Sequence, residues 1–227
     1  MASADEHRGG ATTTGAPVLV VMGGPPPWAD AVPTDADLVV AVDSGVDHAL
    51  ELGLRIDVVV GDLDSVSADG LAAASDGGAR IEEHPADKDQ TDLELALEVA
   101  LADAPASCVV VGGAPDDRID HWLAALGTLA SPRWRATRLD VRMGRSRILP
   151  VHDEVRLPTR PGQTVSLIAI GGDAVGIRST GVEWPLDGET LPPTVARGVS
   201  NVAIADEVTV AVEQGVVLLV VPGPEGA

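Results

Sequence analysis

The stretch Val18-Leu19-Val20-Val21-Met22 decides the fold of the first part of the chain, because it is a short run that is apolar at every position. Residues 38–42, 58–60 and 108–111 repeat this pattern, and residues 139–142 form a weaker run that we expect near the sheet edge. Strands that are apolar on both faces are typical of parallel sheets covered by helices on each side. Helix-length patterns separate the runs, so the sequence predicts a parallel, Rossmann-like α/β domain over residues 17–150.

Two helices are the best marked in this domain. Apolar residues spaced three and four apart predict a helix that follows Asp92, with the apolar face Leu93, Ala96, Leu97, Ala100 and Leu101. A second helix is predicted over residues 120–130, and we expect it to bury Trp122, Leu123, Leu126 and Leu129.

The pattern changes after residue 150. Apolar runs at 165–170, 175–180, 208–212 and 216–221 are separated by Gly, Pro and Asp, and none has a helical period. They predict a small C-terminal antiparallel β-sandwich or barrel over residues 151–227. Residues 1–16 contain Ala, Thr and Gly with scattered charge, which indicates a disordered lead and no signal peptide.

The composition excludes several classes of partner. The chain has 35 acidic and 15 basic residues and a formal charge of -20, so nucleic acid is not an expected partner. No apolar run approaches the roughly 20 residues of a membrane helix. The single cysteine, Cys108, cannot form an intramolecular disulfide, and we expect a cytoplasmic protein.

Two pairs of aspartates indicate a magnesium site. Asp62 and Asp64 follow an apolar strand, and Asp89 and Asp92 stand at the start of the first predicted helix. Mg²⁺ prefers oxygen ligands, binds one or two carboxylates, keeps several waters and completes its shell with substrate phosphates. The sequence therefore predicts metal-dependent phosphate chemistry, with all four aspartates as candidate ligands.

Loops at the carboxyl ends of the predicted strands suggest where a nucleotide binds. Gly23-Gly24, Asp43-Ser44-Gly45 and Gly112-Gly113 occupy such positions, and ligands of open α/β sheets bind at this edge. Neither the Gly-x-x-x-x-Gly-Lys-Ser/Thr motif nor the Gly-x-Gly-x-x-Gly motif is present. Lys88 as a point charge and Arg118 as a bidentate fork are the expected cationic contacts to the phosphates.

Taken together, six motifs resemble those of the thiamine pyrophosphokinase family. In chain order they are Asp43-Ser44-Gly45, Gly61-Asp62-Leu63-Asp64-Ser65, Asp87-Lys88-Asp89-Gln90-Thr91-Asp92-Leu93-Glu94, Arg118-Ile119-Asp120-His121, Gly181-Val182-Glu183-Trp184-Pro185-Leu186 and Ser200-Asn201. The resemblance covers residues 17–221. It implies transfer of the β,γ-diphosphate of ATP to the primary hydroxyl of thiamine, with release of AMP, in a homodimer whose thiamine site lies between subunits.

The resemblance assigns roles to individual residues. The expected nucleotide contacts are Asp43, Ser44, Gly45, Lys88, Thr91, Gly112, Gly113 and Arg118. Trp184 would stack on the thiamine pyrimidine, and Ser200 and Asn201 would hydrogen-bond the ring nitrogens. The expected catalytic residues are Arg118 and a carboxylate that accepts the hydroxyl proton, with Asp120 as the first candidate and Asp92 as the second.

The chain departs from the family pattern at several positions. It has Asp43-Ser44-Gly45 where the family has Asp-Gly-Gly, Asp47 and Ala125 where the family has Asn, and residues 114–117 between Gly113 and Arg118.

Alternative interpretations remain at this point. The same machinery would serve a diphosphokinase for another hydroxymethyl heterocycle, such as a pterin, or a non-catalytic nucleotide-sensing module. Asp62 or Asp64 could instead accept hydrogen bonds within their turn, and Asp120 could only cap its helix. Lys88 and Arg118 could be surface ion-pair partners. Trp184 could pack between domains, and Ser200 and Asn201 could only shape a turn.

Overall fold

A parallel sheet forms the first part of the protein. A computed structural model describes residues 15–114 and 118–223 of the 227 residues. The parallel strands are β1 (Val18–Val21), β2 (Leu38–Val42), β3 (Val58–Gly61), β4 (Arg80–Glu83), β5 (Ser107–Gly112) and β6 (Arg138–Met143). They lie in the order β6-β5-β1-β2-β3-β4. The run predicted near the sheet edge is β6, and it lies inside the sheet because an antiparallel strand pairs with its outer side.

Helices cover both faces of the parallel strands. They are α1 (Gly45–Glu51), α2 (Ala68–Asp76), α3 (Asp92–Ala100) and α4 (Ile119–Leu129). Side chains of alternate strand positions point to opposite faces. Val20 therefore packs in a core with Leu97 and Leu129 of α3 and α4, whereas Leu19 packs in a second core with Val46 of α1.

One residue of α4 contradicts the predicted helix face. Leu123 is 65% exposed, whereas Ala125 and Leu129 are buried and Trp122 and Leu126 pack against the core. These four residues recur at the spacing of one helical face, and Leu123 lies about 100° from its neighbour Trp122 around the helix axis. The prediction counted Leu123 with that face because it is apolar.

The C-terminal part continues the same sheet in antiparallel fashion. Four strands extend it beyond β6 to ten strands in all: β7 (Ser146–Val151), β14 (Val217–Val221), β9 (Thr164–Ala169) and β12 (Asn201–Val202). A second, four-stranded sheet contains β8 (Glu154–Pro158), β10 (Ala174–Thr180), β11 (Asp187–Leu191) and β13 (Glu207–Ala211). Leu167 and Leu219 of the large sheet pack against Ile177 and Val210 of the small sheet.

The predicted fold class is confirmed: a parallel-rich α/β part is followed by an antiparallel sandwich. The continuity of the ten-stranded sheet was not predicted, because β7 joins the two parts by pairing with both β6 and β14. In residues 15–114 and 118–223, no helix is long and apolar enough to cross a bilayer. Most of the predicted N-terminal lead, residues 1–14, lies outside the described residues.

Candidate active site

A crevice of about 560 Å³ opens at the carboxyl ends of the parallel strands. The chain leaves β1 toward β2 on one side, and β5 lies on the other side, so the order of the strands reverses beside β1. Open α/β sheets bind ligands at such a reversal point. The predicted site residues that line this crevice are Asp43, Ser44, Asp62, Asp64, Thr91, Asp92, Gly112, Gly113 and Arg118.

Gly113 and Gly45, both predicted to contact the nucleotide, have different structural roles. Gly113 donates its backbone N–H to the carbonyl of Pro25 (2.9 Å), and a Cβ at Gly113 would overlap Pro25, so the two loops touch through their backbones. Gly45 is the first residue of α1 and is buried against Val21, the last residue of β1, and the following Met22. Gly45 thus lets the helix approach the strand and does not itself line the crevice.

Asp43 is the most perturbed carboxylate of the crevice. It follows β2 with a φ of 46°, and its Oδ1 accepts a hydrogen bond from the N–H of Leu63 (3.4 Å). Burial, followed by the charges of Asp92, Asp62 and Asp64, raises the pKa of Asp43 to about 6 against this one hydrogen bond. Since part of this shift comes from neighbouring carboxylates, a cation bound in the crevice would relieve the repulsion among them.

Asp62 and Asp64 lie in the loop after β3. The Asp62 Oδ1 atom accepts a hydrogen bond from the backbone N–H of Asp64 (3.3 Å), and Leu63 between them has a φ of 62°. This turn brings both carboxylates to the crevice wall. Asp62 therefore stabilises its turn, as the alternative interpretation predicted. Its second carboxylate oxygen and the carboxylate of Asp64 can still bind a ligand.

The loop before α3 supplies Asp92 and its cationic partner. Thr91 caps α3 by accepting a hydrogen bond from the N–H of Glu94 (3.2 Å). The Lys88 ammonium lies 2.9 Å from Asp92 Oδ1 and donates to the carbonyl of Pro85 (3.0 Å). Asp92 lines the crevice. Lys88 does not line it and is connected to it by the ion pair with Asp92. Asp89 is exposed and does not line the crevice either.

Arg118 and Asp120 form an exposed pair at the start of α4. Arg118 donates from Nε to Oδ1 and from Nη2 to Oδ2 of Asp120, both at 3.0 Å, and Arg118 also contacts His121. Hydrogen bonding by Arg118 lowers the pKa of Asp120 to about 2. Arg118 and His121 line the crevice, and Asp120 does not.

Trp184, Ser200 and Asn201 lie in the C-terminal part and not in the crevice wall. Trp184 is 56% exposed, and Asn201 is 5% exposed. Asn201 accepts from the Trp184 N–H (3.1 Å) and donates to the Trp184 carbonyl (2.7 Å), so its amide holds the backbone that carries the indole. Ser200 has a φ of 59° and donates its N–H to Ser166 Oγ (3.0 Å).

The donor set of the crevice fits Mg²⁺. In residues 15–114 and 118–223, no three acidic, His or Cys side chains stand close enough to enclose a metal by themselves. Mg²⁺ needs only one or two carboxylates, because waters and phosphates complete its shell. Asp62, Asp64 and Asp92 line the crevice and can supply such carboxylates, although Asp92 Oδ1 is enclosed and lies 2.9 Å from the Lys88 ammonium.

Ser65, Trp122 and Met143 are among the crevice-lining residues that sequence reasoning did not assign to the site. Trp122 looked like a core residue because it lies on the apolar face of its helix, yet it is only half-buried. Ser65 directly follows Asp64, and Met143 ends β6 at the same sheet edge as Gly112, so strand ends were the available signal.

An acidic crevice at the strand reversal of an α/β sheet is the arrangement expected of an α/β phosphotransferase. The model of the thiamin pyrophosphokinase catalytic domain matches residues 30–143, and that of the thiamin pyrophosphokinase vitamin B1 binding domain matches residues 152–217. The chain belongs to the thiamin pyrophosphokinase family.

Individual relatives agree with this assignment. The thiamine pyrophosphokinase of Bacillus subtilis is 24% identical over 218 residues, which cover 89% of this chain and 97% of that protein. The solved structure of the Bacillus subtilis enzyme has a TM-score of 0.77 at 22% identity and covers 91% of this chain and 99% of its own. The thiamin pyrophosphokinase of Candida albicans has a TM-score of 0.69 at 12% identity, with 90% and 89% covered. These likenesses of structure support the fold.

Proposed function

We propose that this protein transfers the β,γ-diphosphate of ATP to the primary hydroxyl of thiamine and releases AMP. The observation that carries the proposal is the acidic crevice at the strand reversal, in a chain whose two parts match the two domains of the thiamin pyrophosphokinase family in order. We divide the chain accordingly into an ATP-binding part, residues 17–150, and a thiamine-binding part, residues 151–227.

The proposed reaction is an in-line displacement at the β-phosphorus. The thiamine hydroxyl oxygen forms the new bond, the bond from the β-phosphorus to the α,β-bridging oxygen breaks, and AMP leaves with the electron pair. Arg118 binds the phosphates with its fork, and the glycine loops around Gly113 allow the backbone to approach them. Mg²⁺, held by Asp62 and Asp64 with Asp89 and Asp92 as further candidate ligands, would offset the phosphate charge.

A carboxylate accepts the proton of the attacking hydroxyl. Asp120 is our first candidate and Asp92 our second. Asp120 is bonded to Arg118, and phosphates compete for the same guanidinium face because both are bidentate partners of arginine. When Arg118 turns to the phosphates, Asp120 loses the bonds that lower its pKa and becomes a stronger base.

We propose a homodimer in which each thiamine site contains residues of both subunits. Trp184 is exposed and lies apart from the aspartates of its own crevice. Ile119 and Leu123 expose apolar surface on α4, the helix whose Trp122 lines the crevice. In the proposed dimer, a second subunit covers α4 and contributes its own Trp184 to this site.

Mixed dimers test this shared site. Trp184→Ala and Asp62→Asn subunits with different tags are co-expressed, and the species that carries both tags is purified. One of its two sites then combines an intact Trp184 with an intact Asp62, so we expect activity well above that of either parent variant. An inactive mixed dimer, or a protein that stays monomeric, contradicts the shared site.

We place the reaction in the cytoplasm. Cys108 is a buried free thiol, which is compatible with a reducing compartment that also supplies ATP. Fractionation of cells that express the tagged protein checks this placement, and recovery from a non-cytoplasmic fraction contradicts it.

An acceptor competition tests the proposed substrate. Purified protein is given ATP, Mg²⁺, and equal amounts of thiamine and a hydroxymethyl pterin, and the products are separated by chromatography. We expect thiamine diphosphate as the main product. The family match favours neither the pterin diphosphokinase nor the non-catalytic sensing module. Faster reaction of the pterin would support the pterin diphosphokinase. Tight nucleotide binding without turnover would support the sensing module.

A further inference from the structure

The backbone of Gly24, in the loop after β1, is held from both sides by side chains near the start of α1. The Gly24 N–H donates to Ser44 Oγ (3.0 Å), and the Gly24 carbonyl lies 2.8 Å from His48 Nε2. A carbonyl oxygen only accepts, so His48 Nε2 is the donor. Both polar groups of one peptide residue are therefore fixed by the same short segment of chain.

This loop has an unusual conformation at the point where it is held. Gly24 has a φ of +85°, which favours glycine, although a Cβ there would meet no atom within 4 Å. A side chain at position 24 is therefore disfavoured by the backbone conformation and not by a lack of space. On the other side of the turn, the Pro25 carbonyl accepts from the N–H of Gly113 (2.9 Å). The turn is thus fixed between α1 and the loop after β5, where the strand order reverses.

Ser44 also reaches a third loop. Its backbone N–H donates to Ser65 Oγ (3.3 Å), and Ser65 follows the two aspartates after β3. The Oγ bond to Gly24 depends on a side chain at position 44, where the family motif has glycine. Ser44 therefore connects the glycine loop, the loop after β2 and the aspartate loop in this chain.

We propose that His48, acting with Ser44, is a positioning residue that holds the turn of residues 23–25 in the shape that receives the ATP phosphates. This inference rests on the proposed function. A turn that is already fixed loses less conformational freedom when ATP binds. The affinity of the protein for ATP is therefore higher. His48 does not line the crevice, and it acts only through the Gly24 peptide.

Removing the side-chain donor should weaken nucleotide binding selectively. His48→Leu leaves the Gly24 carbonyl without this donor, and we expect KM for ATP to rise between about threefold and tenfold. His48→Gln places an amide N–H near the position of Nε2 and should restore KM to within about twofold. We expect kcat and KM for thiamine to change little, because uniform binding of ATP is what is lost.

Ser44→Ala provides a second variant, on the other side of the Gly24 peptide. It removes the acceptor of the Gly24 N–H, and we expect a similar rise in KM for ATP. Because both side chains hold one peptide, the double variant should show less than the product of the two single effects. Glu51→Gln, an exposed change on α1, is the matched control and should leave KM unchanged.

Direct binding of a non-hydrolysable ATP analogue with Mg²⁺ separates the inference from the proposed function. If the wild-type protein does not bind the analogue, the proposed function fails. If the wild type binds it and His48→Leu binds equally well, the positioning role is wrong while the function stands. A lower melting temperature in His48→Leu with an unchanged Kd also contradicts the positioning role.

Discussion

Asn201 binds the backbone of Trp184 with both atoms of its side-chain amide: Oδ1 accepts from the Trp184 N–H, and Nδ2 donates to the Trp184 carbonyl. The same Oδ1 also accepts from the N–H of Val202 (2.8 Å). The amide of a buried Asn201 is therefore used within the protein, and the predicted bond from Asn201 to a thiamine nitrogen would have to compete with these contacts. The geometry favours a role in which Asn201 presents the exposed indole.

Replacing Asn201 should therefore disturb thiamine binding through Trp184. We expect Asn201→Ala to raise KM for thiamine on the order of tenfold, because both backbone groups of Trp184 and the N–H of Val202 lose this partner, and to leave KM for ATP unchanged. Trp184→Ala should have the same selectivity, and Trp184→Phe should retain part of the affinity through its ring. Steady-state kinetics with each substrate varied in turn checks this, and an effect of Asn201→Ala on KM for ATP alone would contradict it.

The contact between Gly61 and Asp43 predicts an intolerant position. A Cβ at Gly61 would overlap the Asp43 carboxylate, and Gly61 has a φ of +149°. We expect Gly61→Ala to lower the free energy of unfolding by about 1–3 kcal/mol and to abolish most activity.

Gly78→Ala is the control for the Gly61 change. Gly78 also has a positive φ, +89°, but a Cβ there would meet no atom within 4 Å. Gly78→Ala therefore introduces the backbone strain of a positive φ without a steric overlap, and we expect the variant to remain active. Denaturant unfolding and activity are measured on both variants, and equal losses of activity would show that the Asp43 contact is unimportant.

The raised pKa of Asp43 predicts a pH effect on stability. The folded-state pKa of about 6 lies above the ordinary value of 3.8, so the folded protein binds this proton more tightly than the unfolded chain. The contribution of Asp43 to stability is therefore present at low pH and is lost as the pH rises from about 4 to about 6.

Denaturant unfolding of the metal-free protein between about pH 4 and pH 7 checks this effect. We expect Asp43→Asn to gain stability relative to the wild type as the pH rises, because it removes the unfavourable charge. Added Mg²⁺ should reduce the difference at neutral pH. Parallel stability curves for the wild type and the variant would contradict the assignment.

Two carboxylates compete for the role of base. If Asp120 accepts the proton, Asp120→Asn should lower kcat by on the order of 100-fold or more with little change in KM for ATP. Pre-steady-state measurement of the chemical step is the check. A loss of less than about threefold in Asp120→Asn, together with a large loss of kcat in Asp92→Asn, would transfer the role to Asp92.

Much of the fold was predictable because the local pattern and the tertiary environment agree. The runs at β1, β2, β3 and β5 are apolar at every position, and they are buried on both faces of the sheet. β4 was missed because its sequence is polar, and its residues are mostly exposed at the sheet edge. The antiparallel extension through β7 depends on long-range pairing that a local pattern does not encode.

The crevice was predictable where strand ends fix a position. Asp43, Asp62 and Gly112 stand directly at strand ends, and all three line it. Asp89 and Asp120 belong to the same motifs in sequence, but both are exposed and neither is among the residues that line the crevice. The link from His48 to Gly24 joins residues 24 positions apart, and sequence spacing gives no sign of it.

The most direct measurement of the central claim uses ATP labelled at the β-phosphate with Mg²⁺ and thiamine, and Asp62→Asn and Asp69→Asn as variants. We predict that the label moves to thiamine diphosphate in step with the appearance of unlabelled AMP. Asp62→Asn should be slower by on the order of 100-fold, whereas Asp69→Asn, exposed on α2, should match the wild type. Labelled ADP together with unlabelled thiamine monophosphate would contradict diphosphate transfer.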